Sequence, residues 1–376
     1  MREFVLSGGQ VITPDQEFLA DIYVNDGRLK ILKDGGAPKG KVERLEISNC
    51  FVTPGLIDLQ VNGTAKCNLW EQPDQKQFEA LCEELLQAGV TSFLPTLITA
   101  DIEHIKKNRR FLEGLGAGAP LSNGSAAATA HGAVAKAAMI RMPGIHLEGP
   151  FISPERPGVH PKEFIKAPNV AQLKEVISPA VKLVTLAPEY GEGEAAARFL
   201  LGKKITVSLG HSNATFEQAQ KAFDWGIKLI THTFNALPPL HHRAVGAVGA
   251  ALLKEDVFCC LIADGLHLNQ EMVKIVIRLK GPDRVVLVTD VAHVGTTGGG
   301  LVGSSIMLSD AVRNLVSWGA ASFREAIKMA TFNPAKVINL EKELGSIKND
   351  GLADLVVWYK DSLKIRHVVA GGRLVF

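Results

Sequence analysis

The chain has 376 residues, 46% hydrophobic and 21% charged, with a formal net charge of +2. That length suits a barrel of about 250 residues with an appended module, and so large an apolar share supports a buried core and argues against disorder. Without a block of lysines and arginines the sequence offers no nucleic-acid or anionic-membrane footprint, so any bound anion must be met by a few placed side chains.

The opening residues Met1-Arg2-Glu3-Phe4-Val5-Leu6-Ser7-Gly8 do not make a signal peptide, because the apolar run is short and Glu3 interrupts it. No stretch reaches the roughly 18 apolar residues that a membrane span needs. The five cysteines, Cys50, Cys67, Cys82, Cys259 and Cys260, are odd in number and form no C-x-x-C pair. A disulfide framework or a thiolate zinc site is therefore not expected, and a reducing cytoplasm is the simplest compartment.

Residues 1–52 read as short strands and turns. Phe4-Val5-Leu6 leads into Gly8-Gly9, and Asp21-Ile22-Tyr23-Val24 leads into Asn25-Asp26-Gly27, a hairpin signal. Residues 344–376 repeat that texture, with strands over 353–358 and 365–370 and a turn at Gly371-Gly372. The two ends together predict one small β module. Between them, residues 53–343 alternate β-branched apolar runs with helical patterns, as a parallel sheet requires. Eight runs qualify as strands: 56–60, 91–95, 144–148, 181–185, 205–209, 228–232, 257–263 and 285–290. Eight is the barrel number, and no G-x-G-x-x-G follows the first strand to favour an open doubly wound sheet. The predicted fold is α/β: a (β/α)₈ TIM barrel with a small β-sandwich formed from both termini. Helices are expected over 74–88 and 215–225, the second with Asn213 as its cap. Residues 114–138, rich in Gly, Ala and Ser, read as a surface excursion before the third strand.

Polar residues gather at the C-terminal ends of these strands, where barrel enzymes place their sites. The third strand ends in Glu148-Gly149-Pro150, the fifth in Gly210-His211-Ser212 and the sixth in His232-Thr233. The seventh ends in Asp264-Gly265-Leu266-His267 and the eighth in Thr289-Asp290. One histidine at a strand end is more often structural than functional. Glu148, His211 and His232 together supply a carboxylate and two imidazoles, a set that suits Zn²⁺ or Fe²⁺ with a position left for water. Asp290 closes an apolar strand, where a carboxylate is costly unless it is paired or functional; it is the candidate general base for water, and then the acid for the leaving amine. His160, in the loop after Glu148, is a candidate donor to a carbonyl or sugar oxygen. Arg243, flanked by His241 and His242, is a phosphate candidate because guanidinium binds oxyanions in a bidentate manner. Asn235-Ala236 offers backbone N–H groups to an anion.

Across nearly the whole chain these motifs stand in one order. They are Thr53-Pro54-Gly55-Leu56-Ile57-Asp58-Leu59-Gln60-Val61-Asn62-Gly63, His146-Leu147-Glu148-Gly149-Pro150-Phe151, Gly210-His211-Ser212-Asn213-Ala214-Thr215, Thr231-His232-Thr233-Phe234-Asn235-Ala236-Leu237, Ile262-Ala263-Asp264-Gly265-Leu266-His267 and Leu287-Val288-Thr289-Asp290. In this the chain resembles the amidohydrolase superfamily, and within it the N-acetylglucosamine-6-phosphate deacetylase family. The resemblance implies hydrolysis of an acetamide on an amino-sugar phosphate and a homodimer. It assigns the metal to Glu148, His211 and His232, acid–base work to Asp290, and the acetyl carbonyl to His160. It places Asn235, Ala236, Arg243 and His267 around the substrate, with Arg243 reaching the phosphate across the dimer interface. Many superfamily members carry H-x-H after the first strand and hold two metals; here those positions are Gln60 and Asn62, neutral amides that are poor transition-metal ligands. One divalent ion is therefore expected. The run between Asp290 and Gly303-Ser304-Ser305 is shorter than the resemblance implies, and Ala65-Lys66-Cys67 stands where a glycine-rich run is expected. Rival readings are a deacetylase for the galactosamine isomer, an aminoacylase or cyclic-amide hydrolase, and a non-catalytic barrel used as a scaffold. Loss of ligands is the mark of the last, and none is missing here.

Overall fold

A computed structural model describes residues 3–33, 38, 42–121, 139–294, 296–297 and 300–376. Most of the predicted excursion before the third strand, residues 122–138, lies outside the described residues, as do 295, 298 and 299 in the run after Asp290.

Eight parallel strands form one sheet in chain order: Leu56–Val61, Val90–Ile98, Ile145–Glu148, Val181–Leu186, Thr206–Leu209, Leu229–Ile230, Phe258–Leu261 and Val285–Leu287. The sheet closes on itself through the segment after the last strand. The Asp290 N–H donates to Gln60 O (3.0 Å) and the Asn62 N–H to Val291 O (2.8 Å), so the chain forms a barrel. Alternation along each strand splits the apolar residues into two sets. Ile57, Leu59, Leu94, Leu183, Leu229, Phe258, Val286 and Val288 share one cluster that fills the barrel. Phe93, Ile145, Leu147, Val184, Val207, Leu209 and Leu261 belong to the larger cluster beneath the helices. Both faces of the sheet are buried, which is why the strands read as continuous apolar runs.

The helices follow from local chemistry. Asp74 caps Gln75–Gln87 through a reciprocal pair with Gln77, and Phe78, Leu81, Cys82, Leu85 and Leu86 form its buried stripe at helical spacing. The helix Phe216–Asp224 is capped by Thr215, not by Asn213 as the sequence suggested. Thr215 accepts from the Gln218 N–H (3.3 Å), while the Asn213 carboxamide is occupied by Arg156 (2.9 Å) and Glu155.

The terminal segments build two further sheets. One orders Arg373–Leu374, Ile365–Ala370, Leu355–Tyr359, Cys50–Pro54, Gln10–Ile12 and Glu17–Leu19; the other orders Arg28–Leu32, Asp21–Asn25, Glu3–Ser7 and Glu43–Glu46. Phe4, Leu6, Ile22, Val24, Val52, Leu355 and Val369 pack between them, so this is a sandwich drawn from both ends. The Asn25-Asp26-Gly27 signal becomes the turn between paired strands, with φ of 45° at Asp26 and 77° at Gly27.

Three barrel strands stop short of the predicted ranges 228–232, 257–263 and 285–290, the first and last of them at a left-handed residue. The chain leaves the extended conformation at His232 (φ 25°) and Asp290 (φ 53°). Among the described residues no helix is long and apolar enough to cross a membrane. All five cysteines are buried free thiols.

Candidate active site

Left-handed backbone at residues other than glycine is rare and concentrates where function holds it in place. Here His211 (φ 46°), His232 (φ 25°), Phe234 (φ 80°), Ala236 (φ 51°) and Asp290 (φ 53°) all lie at or just beyond the C-terminal ends of barrel strands. These bends swing the side chains over the barrel mouth. Glu148 reaches the same place from the end of the third strand.

The ligand atoms of Glu148, His211 and His232 all lie within 4.8 Å of one another, and all three residues are buried. Glu148 Oε1 is 3.0 Å from His232 Nε2 and 3.3 Å from His211 Nε2. The two Nε2 atoms are 3.1 Å apart. Two imidazole nitrogens on one tetrahedral zinc sit roughly 3.3 Å apart, given bonds of about 2.0–2.1 Å. His211 Nδ1 faces Arg156 O (3.0 Å) and His232 Nδ1 faces Asn235 O (3.2 Å). A carbonyl only accepts, so each Nδ1 carries the proton and each Nε2 presents a lone pair to Glu148, the tautomer of a metal ligand. Three Lewis-basic atoms this close in a buried site need positive charge among them. The donor set fits a divalent cation. Burial raises the Glu148 carboxyl, but positive charge at the facing imidazole nitrogens, the place a bound cation would take, holds it well below the carboxylate range.

Asp290 lines the same cavity, a space of about 150 Å³. Burial, and then the Glu148 carboxylate, push its carboxyl up to about 8. Asn62 Nδ2 donates to Asp290 Oδ1 (2.7 Å), and Trp70 Nε1 donates to Asn62 Oδ1 (3.2 Å). Gln60 Nε2 donates to Glu148 Oε1 (2.9 Å). The two amides at the H-x-H positions therefore orient the two carboxylates. From sequence they are expected only to be poor ligands; their role as donors was not readable, and the spacing that puts 60 and 62 on one face of the first strand was the available signal.

His160 is buried in the same cavity, and burial holds its imidazole well below its usual value. Its Nδ1 accepts from Thr99 Oγ1 (2.7 Å) and more distantly from the Thr99 N–H (3.4 Å). That leaves the proton on Nε2, which lies 4.0 Å from Glu148 Oε2. His267 lines the cavity and its Nδ1 binds Asp264 Oδ2 (2.6 Å). Asp264 is thereby kept low: burial opposes, and the His267 ring with the His267 and Leu266 amides prevails. Asn235 and Ala236 also line the cavity. The Asn235 N–H is already bonded to His232 O (2.9 Å), so it does not face an anion as the sequence suggested. Arg243 is exposed on the loop beyond, lining a separate hollow with Thr215 and Pro238, and is not brought to the cavity of its own chain.

Several supporting residues carried no assignment from sequence. His146 Nε2 meets Thr185 Oγ1 (2.8 Å), which meets Thr231 Oγ1 (2.8 Å), a hydroxyl belt among neighbouring strands. Burial pushes His146 down to about 4, so it stays neutral. Glu189, raised by burial, accepts from Ser212 Oγ (2.7 Å) and the Asn213 N–H (2.7 Å) and so ties down the His211 loop.

The amidohydrolase family model matches residues 51–375. Bovine N-acetylglucosamine-6-phosphate deacetylase is 31% identical, with 98% of this chain and 90% of that protein aligned. The N-acetylgalactosamine-6-phosphate deacetylase of Escherichia coli O157:H7 is also 31% identical, over 86% of this chain and 87% of its own length. The crystal structure of N-acetylglucosamine-6-phosphate deacetylase from Thermotoga maritima superposes with a TM-score of 0.83 at 31% identity, covering 99% of both chains.

Proposed function

This chain belongs to the amidohydrolase family, and we propose that it hydrolyses the acetamide of N-acetyl-D-glucosamine 6-phosphate to D-glucosamine 6-phosphate and acetate. The observation that carries the reading is the convergence of Glu148, His211 and His232 in the cavity that Asp290 also lines. Similarity to deacetylases of amino-sugar phosphates supplies the substrate class.

A single divalent ion held by Glu148, His211 and His232, zinc or iron by the donor set, supplies Lewis-acid polarisation and makes water acidic near neutral pH. The protein groups do the rest. Asp290, with Oδ1 fixed by Asn62, takes the proton of the attacking water on its other oxygen. His160, with Nδ1 engaged by Thr99, directs its Nε2 proton to the acetyl oxygen as negative charge gathers there. Asp290 then returns the proton to the sugar nitrogen and acetate leaves. A cation on Glu148, His211 and His232 would draw the Asp290 carboxyl down from the value of about 8 that burial and Glu148 impose without it, so Asp290 starts ionised, and the rate falls once acid titrates it.

Asn235, Ala236 and His267 line the sugar side. Arg243 serves the phosphate of the partner subunit's substrate in a homodimer. This is supported by its place on an exposed loop beside exposed Leu240 and Val245, away from its own cavity. A reducing cytoplasm suits five buried thiols; burial pushes Cys67 up to about 12, leaving it unreactive.

The test is acetate release from N-acetylglucosamine 6-phosphate beside its galactosamine isomer. Faster turnover of the glucosamine compound is the expected result. Preference for the galactosamine compound moves the assignment to that epimer, and release from neither, with metal bound, leaves a scaffold or another amidohydrolase.

A further inference from the structure

Beside the catalytic cavity lies a second space of about 530 Å³. The two share Trp70, Ile98, Val159 and Val302 in their walls, so they adjoin. The larger chamber continues between the end of the second barrel strand and the following helix, where Leu97, Ile105 and Phe164 give it an apolar lining. Glu71 and Asp101 stand on its wall, and no lysine or arginine does among the described residues. Asn235, Ala236 and His267 line only the smaller cavity.

We propose that this chamber receives the acyl side of the scissile amide, so that the enzyme deacylates amino-sugar phosphates whose N-acyl chain is several carbons longer than acetyl. The inference rests on the reading given under Proposed function and extends its substrate class. The charge pattern sets the direction. A substrate of this kind has two unlike ends about one C–N bond: a hydroxylated sugar bearing a phosphate dianion, and an apolar acyl group. Glu71 and Asp101, exposed and with no lysine or arginine beside them on that wall among the described residues, disfavour the dianion there through a screened repulsion. The apolar walls instead favour methylenes, each improving transition-state binding by up to about fourfold when removed from water. The sugar phosphate therefore takes the Asn235 and His267 side, and the acyl chain passes Trp70 and Ile98. The reaction is unchanged in kind. The oxygen of water bonds to the acyl carbon and the C–N bond breaks. Both water protons finish on the nitrogen, giving a fatty carboxylate and a sugar ammonium.

The experiment compares kcat/KM of the metal-loaded full chain for N-acetyl-, N-propanoyl-, N-butanoyl- and N-hexanoylglucosamine 6-phosphate. The expected result is a series flat to within about fourfold per methylene. A slot closed around acetyl loses roughly 10- to 200-fold for each added methylene, and that result overturns the proposal. Ala100 lines the chamber but not the catalytic cavity, so Ala100→Phe is expected to lower the ratio of butanoyl to acetyl kcat/KM by about 10-fold or more. Ala100→Leu provides a smaller plug should the larger one prevent folding. A ratio that stays constant in a folded variant places the chain elsewhere and overturns the assignment. Absence of carboxylate release from every compound, acetyl included, defeats the proposed function itself, a result distinct from a series that stops at acetyl.

Discussion

His211 and His232 each commit Nδ1 to a backbone carbonyl, at 3.0 Å and 3.2 Å, and this fixes which nitrogen faces Glu148. Removing one ring therefore removes one of the three donors. His211→Ala is expected to lose the bound ion, measured by elemental analysis. Asp290→Asn is expected to keep the ion and lose about 100-fold or more in turnover; a near-normal rate removes Asp290 from the chemistry. A second carboxyl below the site makes a different prediction. Asp58 is fully buried and accepts from Thr289 Oγ1 (2.6 Å), and burial pushes it up to about 6 despite that bond. The folded state thus binds its proton more tightly than the unfolded state does. The contribution is complete below about pH 4 and is lost as pH rises through 6. An Asn at this position stays neutral, and Thr289 Oγ1 can turn to Gln60 O, 3.3 Å away. Asp58→Asn should therefore gain on the wild type between pH 4 and 8, by up to about 3 kcal/mol in denaturant unfolding. An equal difference at both pH values contradicts the account. At this scale the sequence pointed to the three members of the cluster, because each is a polar residue ending an apolar run. The orienting amides stayed hidden because Gln60 meets Glu148 across 88 residues and Asn62 meets Asp290 across 228; no local pattern encodes such a pair.

Strand ends are where the barrel's regularity stops and the site begins. The predicted runs 228–232 and 285–290 were drawn from apolar, β-branched composition, which does not register a left-handed turn at His232 or Asp290. The same limit moved the cap of Phe216–Asp224 from Asn213 to Thr215, since Asn213 is held by residues of another loop. Gly210, one residue before His211, shows how tightly these ends pack. A Cβ there would sit 2.6 Å from Thr185 Cγ2 on one neighbouring strand and 2.8 Å from Thr231 Cβ just past the end of the other. Gly210→Ala must push those strands apart. The expected cost is about 1–3 kcal/mol, read as a lower unfolding midpoint of the metal-free protein, together with weaker metal retention because His211 moves with the strand end. Unchanged values in both measurements would mean that the strand ends are looser than these contacts require.

The whole molecule joins a barrel to a sandwich through buried contacts. Trp358 Nε1 donates to Thr53 Oγ1 (2.9 Å), linking the last sandwich strands to the segment that enters the barrel. Arg141 Nε meets Asp354 Oδ2 at 2.6 Å, with both side chains buried, and Asp354 Oδ1 also accepts from the Gly371 N–H (2.7 Å). Asp354→Ala removes this ion pair and the acceptor of the Gly371 N–H, so it is expected to cost about 1–3 kcal/mol in denaturant unfolding; no measurable loss would show that the pair does not hold the two units together. That both ends share one module was legible in their matching strand-and-turn texture. Their register was not, because the pairing of Leu355–Tyr359 with Cys50–Pro54 spans the entire barrel sequence. The central claim is that Glu148, His211 and His232 hold one cation on which amide hydrolysis depends. It is tested most directly by stripping the full chain with a chelator and following acetate release from N-acetylglucosamine 6-phosphate as zinc or ferrous ion is returned. The account predicts no release from the stripped protein and a rate that climbs with added metal until one equivalent per chain is reached. Full activity without metal would contradict it.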